Sequence, residues 1–126
     1  MSKKSATTYT VLQLCFKLRV PPDVLLAESG QAATAIASVE GLIWKIWISR
    51  AEKSEIGGVY LFATPEAAEA YLKHPVIEAL CRNPAVVCAH SQVWEVERSL
   101  SAVTRAPLAN ACTQSSQPEA RVAGGR

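Results

Sequence analysis

The sequence predicts an α+β fold whose strands and helices follow one another in the order β-α-β-β-α-β. Three observations carry this prediction. Four stretches have the alternation or the apolar content of strands, two stretches between them begin near proline and have helical spacing, and a polar turn joins the second strand directly to the third. The order is that of the ferredoxin-like fold, in which an antiparallel sheet of four strands carries both helical regions on one face.

The first strand is predicted at residues 9–18, where apolar residues occupy alternate positions. Pro22 and Asp23 then suit the start of a helix, because proline is favoured in the first turn and an acid interacts well with the positive end of the helix dipole. Residues 23–39 are rich in alanine and predict one helix, although Gly30 costs about 1 kcal/mol relative to alanine.

The stretch Gly-Leu-Ile-Trp-Lys-Ile-Trp-Ile, at residues 41–48, predicts the second strand, and residues 56–63 predict the third. Polar residues 49–55 separate the two, so we expect a hairpin. The second strand is unusual because it is apolar on both faces and holds a single cation, Lys45, between two tryptophans.

The second helical region begins at residues 64–66, which supply a hydroxyl cap, a proline at the first position and a carboxylate in the first turn. We expect this helix to span 65–74, to be interrupted by Pro75 and to be followed by a short helix at 76–83. Residues 85–96 predict the last strand.

The predicted domain organisation has one folded unit, at residues 9–97, after a flexible N-terminus at 1–8. Residues 98–109 form a C-terminal arm, and residues 110–126, rich in Ser, Gln, Pro and Gly, are expected to be disordered. Three apolar side chains of the arm could pack on a partner subunit: Leu100, Val103 and Leu108.

Composition argues against several classes of partner. Of the 126 residues, 49% are apolar and 19% are charged, so a substantial core is expected. Residues 5–97 carry seven Lys and Arg against ten Asp and Glu, which indicates no basic face for nucleic acid. The N-terminus has no apolar segment after its lysines and no apolar run is long enough to span a membrane. We therefore expect a cytoplasmic protein that binds neither nucleic acid nor membrane.

The cysteines and histidines do not indicate a metal or cofactor site. The four cysteines form no CxxC pair, so we expect them to be reduced and buried, acting as small hydrophobic residues. Cys15 and Cys88 lie inside apolar strands, and a reducing compartment is expected. The two histidines lie 16 positions apart without a ligand pattern. The Gly57-Gly58 pair is not part of a G-x-G-x-x-G phosphate loop. We expect no metal and no cofactor.

Both faces of the predicted hairpin are apolar, yet the helices of this fold cover only one face of the sheet. The alternation places one set of side chains on one face (Trp44, Ile46 and Ile48) and a second set on the other (Ile43, Lys45 and Trp47). A contiguous exposed apolar patch marks an interface or a pocket. We therefore expect a homodimer in which the sheet of a second copy closes against the first, as a dimeric α+β barrel.

Residues 41–47 (Gly-Leu-Ile-Trp-Lys-Ile-Trp) and 57–62 (Gly-Gly-Val-Tyr-Leu-Phe) also carry a resemblance to a known family. With a further match at 93–108, the sequence resembles the YdhR-type monooxygenases of the dimeric α+β barrel superfamily, over roughly residues 9–108. The resemblance implies the fold above and an oxidation that relatives perform on aromatic polyketides without metal or flavin. The sequence departs from the family where Pro75 follows the predicted helix.

Three residues are candidates for catalysis. His90 could be a general base near neutral pH, or a buried neutral histidine with a hydrogen-bond partner. Lys45 could hold an anionic phenolate, carboxylate or enolate, or it could extend its stem over apolar surface with its amine in solvent or on Glu95. Tyr60 is a second group that could hold the anion.

Five further residues are candidates for substrate binding: Trp44, Trp47, Phe62, His74 and Trp94. The aromatic rings could stack on a flat substrate, or they could serve only the core and the dimer interface. His74 could lie at the edge of the pocket, or it could cap the negative end of a helix as a cation.

The predicted function is that of a small cofactor-independent monooxygenase acting on an aromatic, phenolic or enolisable, polyketide-like compound in a hydrophobic pocket. Such a compound can supply electrons to O₂ once it is deprotonated. Two alternatives use the same pocket. One is a cyclase or isomerase working through an enolate, and the other is a non-catalytic dimeric binding module for a flat hydrophobic ligand.

Overall fold

The computed structural model describes residues 8–108. The predicted order of elements is confirmed, with each helical region divided in two and one more helix at the end. Most of the predicted N-terminal segment 1–8 and all of 109–126 lie outside the described residues. The elements are β1 (Thr10–Leu18), α1 (Pro22–Ala27), α2 (Gly30–Ala37), β2 (Leu42–Arg50), β3 (Glu55–Phe62), α3 (Pro65–Leu72), α4 (Pro75–Arg82), β4 (Val86–Glu95) and α5 (Arg98–Val103).

The four strands form one antiparallel sheet in the order β2-β3-β1-β4. Its helix-covered face contains the alternating apolar residues of β1, since Leu12, Leu14, Phe16 and Leu18 are all buried. Cross-strand pairing of Leu12 with Tyr60 puts the aromatic residues of β3 on the same face. The hydrophobic core therefore lies between this face and the helices.

The first helical region is two helices and not the single helix predicted at 23–39. The break follows from local chemistry at Ser29, whose hydroxyl donates to the Leu25 carbonyl at 2.8 Å and competes with the backbone bond there. The next residue, Gly30, has low helix propensity and begins α2. Pro22 starts α1 as predicted.

The second helical region begins and breaks where the sequence predicts. The Thr64 hydroxyl caps α3 by accepting a hydrogen bond from the backbone N–H of Ala67 at 3.1 Å. The break at Pro75 follows because proline restricts the residue before it to extended backbone, and His74 has φ −68° and ψ 145°. The two helices α3 and α4 therefore meet at an angle set by this dipeptide.

The side of the sheet away from the helices is here called the open face. Register places on it these side chains, among others: Gln13, Cys15, Trp44, Ile46, Ile48, Val59, Leu61, Cys88, His90, Gln92 and Trp94. Ile46 is 54% exposed, Ile48 is 44% exposed and Trp94 is 53% exposed. The predicted second apolar face is therefore present.

The register of β4 shifts at its start, so Val86 lies opposite Leu18 and packs against the core. The expectation of buried cysteines is wrong for two of the three described: Cys15, Cys81 and Cys88 are free thiols, but Cys81 and Cys88 are exposed in the single chain. The fourth cysteine, at position 112, lies outside the described residues.

The C-terminal arm runs back to the sheet of its own chain. It leaves β4 at one edge and reaches β2 at the other, where the Trp44 indole N–H donates to the Pro107 carbonyl at 2.8 Å. Leu100 and Val103 remain exposed in α5. No helix among residues 8–108 is long and apolar enough to cross a membrane.

Position 57 has room only for glycine, because the backbone of β1 lies close to it. A Cβ at position 57 would overlap the Leu14 carbonyl oxygen, which belongs to the neighbouring backbone and cannot move aside. We expect Gly57→Ala to lower the free energy of unfolding by about 1–3 kcal/mol, measured by denaturant titration.

Gly30→Ala is the matched control for this measurement. A Cβ at position 30 meets nothing within 4 Å, and alanine favours the helix, so this variant should be neutral or more stable by up to about 1 kcal/mol. Equal stability of the two variants would contradict the close packing of these strands.

Candidate active site

A cavity of about 230 Å³ lies between the helix-covered face of the sheet and the helices. Aliphatic side chains of α1, α2 and α4 form its roof, and residues of β1, β2 and β3 form its floor. Its lining is mainly apolar. The polar residues that line it are Glu28, Ser29, Lys45, Tyr60, Tyr71 and Asn83.

The Lys45 side chain enters this cavity because Gly58, its diagonal neighbour on β3, leaves room for it. The pairing of β2 with β3 puts Lys45 beside Tyr60 and Trp47 beside Gly58, all on the helix-covered face. A Cβ at Gly58 would lie 2.6 Å from Cε of the lysine and 2.9 Å from the Tyr60 ring. Glycine at position 58 therefore keeps open the path along which the lysine stem runs.

Two aromatic rings surround the Lys45 amine. Its Nζ lies 3.3 Å from the centroid of the Trp47 ring and 4.7 Å from that of Tyr60. A cation over an aromatic face gains about 0.5–2 kcal/mol, more when water is excluded. Burial lowers the pKa of the Lys45 amine to about 8, because the charged form loses hydration. The ring contacts oppose this effect without replacing the lost water.

Tyr60 and Tyr71 form a hydrogen-bonded pair of buried phenols, whose hydroxyl oxygens are 3.0 Å apart. Burial raises the pKa of both phenols, and the hydrogen bond to Tyr71 raises the pKa of Tyr60 further. Both therefore stay protonated at neutral pH. Within the cavity they are neutral hydroxyl groups, and because one of them donates to the other, the pair keeps one O–H that can donate a hydrogen bond to an anion.

Of the five predicted substrate-binding residues, the structure brings only Trp47 to this cavity. Trp47 is 38% exposed, so part of its ring reaches solvent while the rest lines the cavity. Phe62 is fully buried in the core, with its ring 5.6 Å from that of Tyr71, and does not line the cavity. Trp44 and Trp94 lie on the open face, where the Trp94 indole N–H donates to the Gln13 side-chain oxygen at 2.8 Å.

His74 caps the N-terminus of α4, not the C-terminus of the preceding helix as expected. Its Nδ1 accepts a hydrogen bond from the backbone N–H of Val76 at 3.0 Å, at the N-terminus of α4. The expectation of a cation at the negative end of the preceding helix is therefore wrong, because an accepting Nδ1 carries no proton. The His74 ring lies 6.0 Å from that of Tyr71, behind the cavity wall.

His90 is separated from Lys45 and Tyr60 by the thickness of the sheet. It pairs with Cys15 on the open face and is exposed, with its Nε2 3.9 Å from the Cys88 sulfur. The structure thus does not bring His90 into the cavity of its own chain, and in the single chain its side chain is exposed rather than buried. Nor does Lys45 contact Glu95, which belongs to the opposite edge strand.

Sequence reasoning missed two residues of the site, Tyr71 and Gly58. Tyr71 follows Ala68 by one helical turn, and both are buried, so the apolar face of α3 was a usable signal. Nothing in the sequence distinguishes Gly58 from its neighbour, since the contact with Lys45 depends on register. Among residues 8–108, no group of three or more potential ligands could hold a metal ion.

The arrangement can perform a limited chemistry. It can surround a flat ligand with apolar side chains and present to it a lysine amine whose pKa is lowered to about 8. In its neutral form this amine can accept a proton, and the resulting ammonium can hold the anion that is left.

Solved structures of the same fold cover most of the chain. Protein SO0527 from Shewanella oneidensis is 16% identical with a TM-score of 0.59, over 71% of this chain and 92% of that one. The cofactor-independent oxygenase SnoaB from Streptomyces nogalater is 10% identical with a TM-score of 0.59, over 74% and 97%. The monooxygenase ActVA-Orf6 from Streptomyces coelicolor, solved with the ligand Nanaomycin D, is 12% identical with a TM-score of 0.56, over 73% and 89%.

At these identities the likeness shows the fold alone, and no curated protein matches the chain. The sequence family described as "Putative mono-oxygenase ydhR" matches residues 11–107, which is most of the chain. The match spans all four strands and the arm up to Pro107, so it includes Lys45, Gly58, Tyr60 and Tyr71. The protein belongs to the ydhR mono-oxygenase family.

Proposed function

We propose that the protein is a small cofactor-independent monooxygenase that oxidises a phenolic or enolisable aromatic compound in the cavity beneath β2 and β3. The observation that carries the proposal is the Lys45 amine, held over Trp47 inside an apolar cavity. Membership of a mono-oxygenase family supports the reaction class. Two proteins of the same fold are described as a cofactor-independent oxygenase and as a monooxygenase with a bound ligand, which supports it further.

The proposed reaction needs no electrons from outside the substrate. A ring carbon of the phenol, or a ring CH₂ group beside a ketone, becomes a carbonyl carbon. The substrate loses two hydrogens, one of which comes from the hydroxyl group in the phenol, and gains one oxygen atom. The second oxygen atom of O₂ leaves as water. The first step is removal of a proton, because the resulting enolate or phenolate transfers electrons to O₂ far more readily than the neutral compound.

Lys45 can both remove the proton and stabilise the anion that is left. Its neutral amine, present in quantity because burial lowers its pKa to about 8, accepts the proton. The ammonium then pairs with the anion in a site from which water is excluded. The Tyr60–Tyr71 pair, kept protonated by burial, donates a hydrogen bond to the same anion through the one O–H that is not used within the pair.

The size of the cavity limits the substrate class. A volume of about 230 Å³ falls below the ~300–1,000 Å³ typical of pockets for drug-sized ligands. We therefore propose a substrate of one or two rings, with its ionisable oxygen beside the Lys45 amine and its rings among the apolar lining residues. A larger ring system would have to extend out of the cavity into solvent.

We also propose that the protein acts as a homodimer in which a second copy covers the open face and closes a dimeric α+β barrel. Ile46, Ile48 and Trp94 form the apolar part of this face and are half exposed in the single chain. Exposed Leu100 and Val103 of the arm would pack on the partner. The place of action is the cytoplasm.

Oxygen uptake with naphthalene diols tests the reaction and the role of Lys45. We expect Lys45→Met to lower turnover by about 10²-fold or more, because it removes the base and keeps the apolar stem. The wild-type rate should rise with pH and level off above about pH 8, since the reactive form of Lys45 is the neutral one.

His90→Gln is the control for that assay, because His90 lies on the opposite face of the sheet. This variant should keep its turnover per folded molecule. Loss of turnover with His90→Gln and retention with Lys45→Met would contradict the assignment of the base. Turnover that continues without O₂ would instead indicate a cyclase or isomerase acting through the enolate, and tight binding without turnover would indicate a binding module.

Light scattering at micromolar concentration tests the dimer. We expect a dimer for the wild type and a shift toward monomer for Ile46→Glu, because a carboxylate at the centre of an apolar interface loses its hydration. Val24→Glu is the control, since Val24 is 47% exposed on α1 and away from the open face. A monomeric wild type, or equal effects of the two variants, would exclude this interface.

A further inference from the structure

We propose that Lys45 is a nucleophilic amine that condenses with a small aromatic aldehyde or ketone in the cavity and forms an imine. This activity goes beyond the proposed oxidation, because it needs no O₂. It uses the same cavity but depends on a different property of the lysine, its ability to form a carbon–nitrogen bond.

The amine is presented where a carbonyl carbon could reach it. Its Nζ lies 3.3 Å from the Trp47 ring centroid, and both residues line a cavity of about 230 Å³. Gly58 fixes the approach, because a Cβ there would lie 2.6 Å from Cε of the lysine. An aromatic carbonyl compound in this cavity, with its ring against the aliphatic lining residues, would place its carbonyl group close to the amine.

No carboxylate holds the amine in its protonated form. Within residues 8–108, the ion pair that the structure contains joins Arg50 to Glu55, and Lys45 takes no part in it. The other titratable residues that line the cavity are Glu28, which follows the end of α1, Tyr60 from β3 and Tyr71 from α3. Glu28 is exposed at the outer edge, and both tyrosines are neutral.

The protonation equilibrium of Lys45 also favours its action as a nucleophile. Burial lowers the pKa of the Lys45 amine to about 8, so about half of it is neutral at pH 8. An ordinary lysine, with a pKa of about 10.4, is less than about 1% neutral at that pH. The face of the Trp47 ring favours the ammonium form and so limits how far the pKa of Lys45 falls. A paired carboxylate would hold the ammonium form more strongly and would keep the amine from attacking a carbonyl carbon.

The reaction balances without an oxidant or a reductant. The nitrogen lone pair attacks the carbonyl carbon, and the carbonyl oxygen takes a proton to give a carbinolamine. Nitrogen then loses its remaining protons as the hydroxyl group leaves, so that one carbon–nitrogen double bond forms and one water is released. The departing hydroxyl group takes its proton from the nitrogen, and the free O–H of the Tyr60–Tyr71 pair, which lines the cavity, can donate a hydrogen bond to it.

Reductive trapping tests the proposal. Full-length protein is incubated under argon with benzaldehyde and cyanoborohydride, and the labelled lysines are identified by peptide mass spectrometry. We expect Lys45 to be labelled at least about tenfold faster at pH 7.5 than Lys53, which is exposed, with a half-maximal rate near pH 8. Lys45→Arg should lose this fast labelling and leave that of Lys53 unchanged.

Gly58→Ala is a second variant that keeps the amine but displaces its stem. It should slow labelling of Lys45 severalfold while the melting temperature shows that the protein is folded. Labelling of Lys45 no faster than of Lys53, or a rate that is half-maximal only near pH 10, would overturn the proposal. Because the assay excludes O₂, failure of oxygen uptake leaves a positive trapping result intact, and failure of trapping leaves a positive oxygen-uptake result intact.

Discussion

The helices of this protein cover one face of the four-stranded sheet, whereas large apolar side chains occupy both faces, and most features of the molecule follow from this imbalance. On the covered face, Leu12, Tyr60 and Phe62 meet the helices and are almost fully buried. On the open face, Ile46 and Trp94 remain half exposed in the single chain. The first face can therefore hold a dry cavity, and the second can hold a partner.

The cation in β2, Lys45, lies on the covered face, where burial changes its acid–base chemistry. Removing an ammonium from water disfavours its charged form, so the pKa of Lys45 falls to about 8. The Trp47 ring contacts the amine, and Gly58 leaves room for the lysine stem, so that Lys45 is accommodated here without a carboxylate partner. A lysine in this state can accept a proton, hold an anion or attack a carbonyl group.

Pattern and periodicity predicted the strands, the break at Pro75 and the division of the hairpin into Trp44 and Trp47 faces. They could not predict which residues would meet across strands, because that depends on register. His90 and Lys45 lie on strands at opposite edges of the sheet and on opposite faces, although each looked suited to the same pocket. Tyr71 reaches the cavity only because α3 packs its buried face on β3, which a helix pattern alone does not establish.

Fluorescence quenching by a flat phenol tests most directly whether the ligand site lies on the covered face. 4-Nitrophenol is titrated into two variants that each keep one tryptophan, Trp47 in the first and Trp94 in the second, with free tryptophan as the optical control. We expect saturable quenching in the Trp47-only variant and none in the Trp94-only variant, because only Trp47 lines the cavity. Saturable quenching confined to the Trp94-only variant would place the ligand on the open face and contradict the assignment of the site.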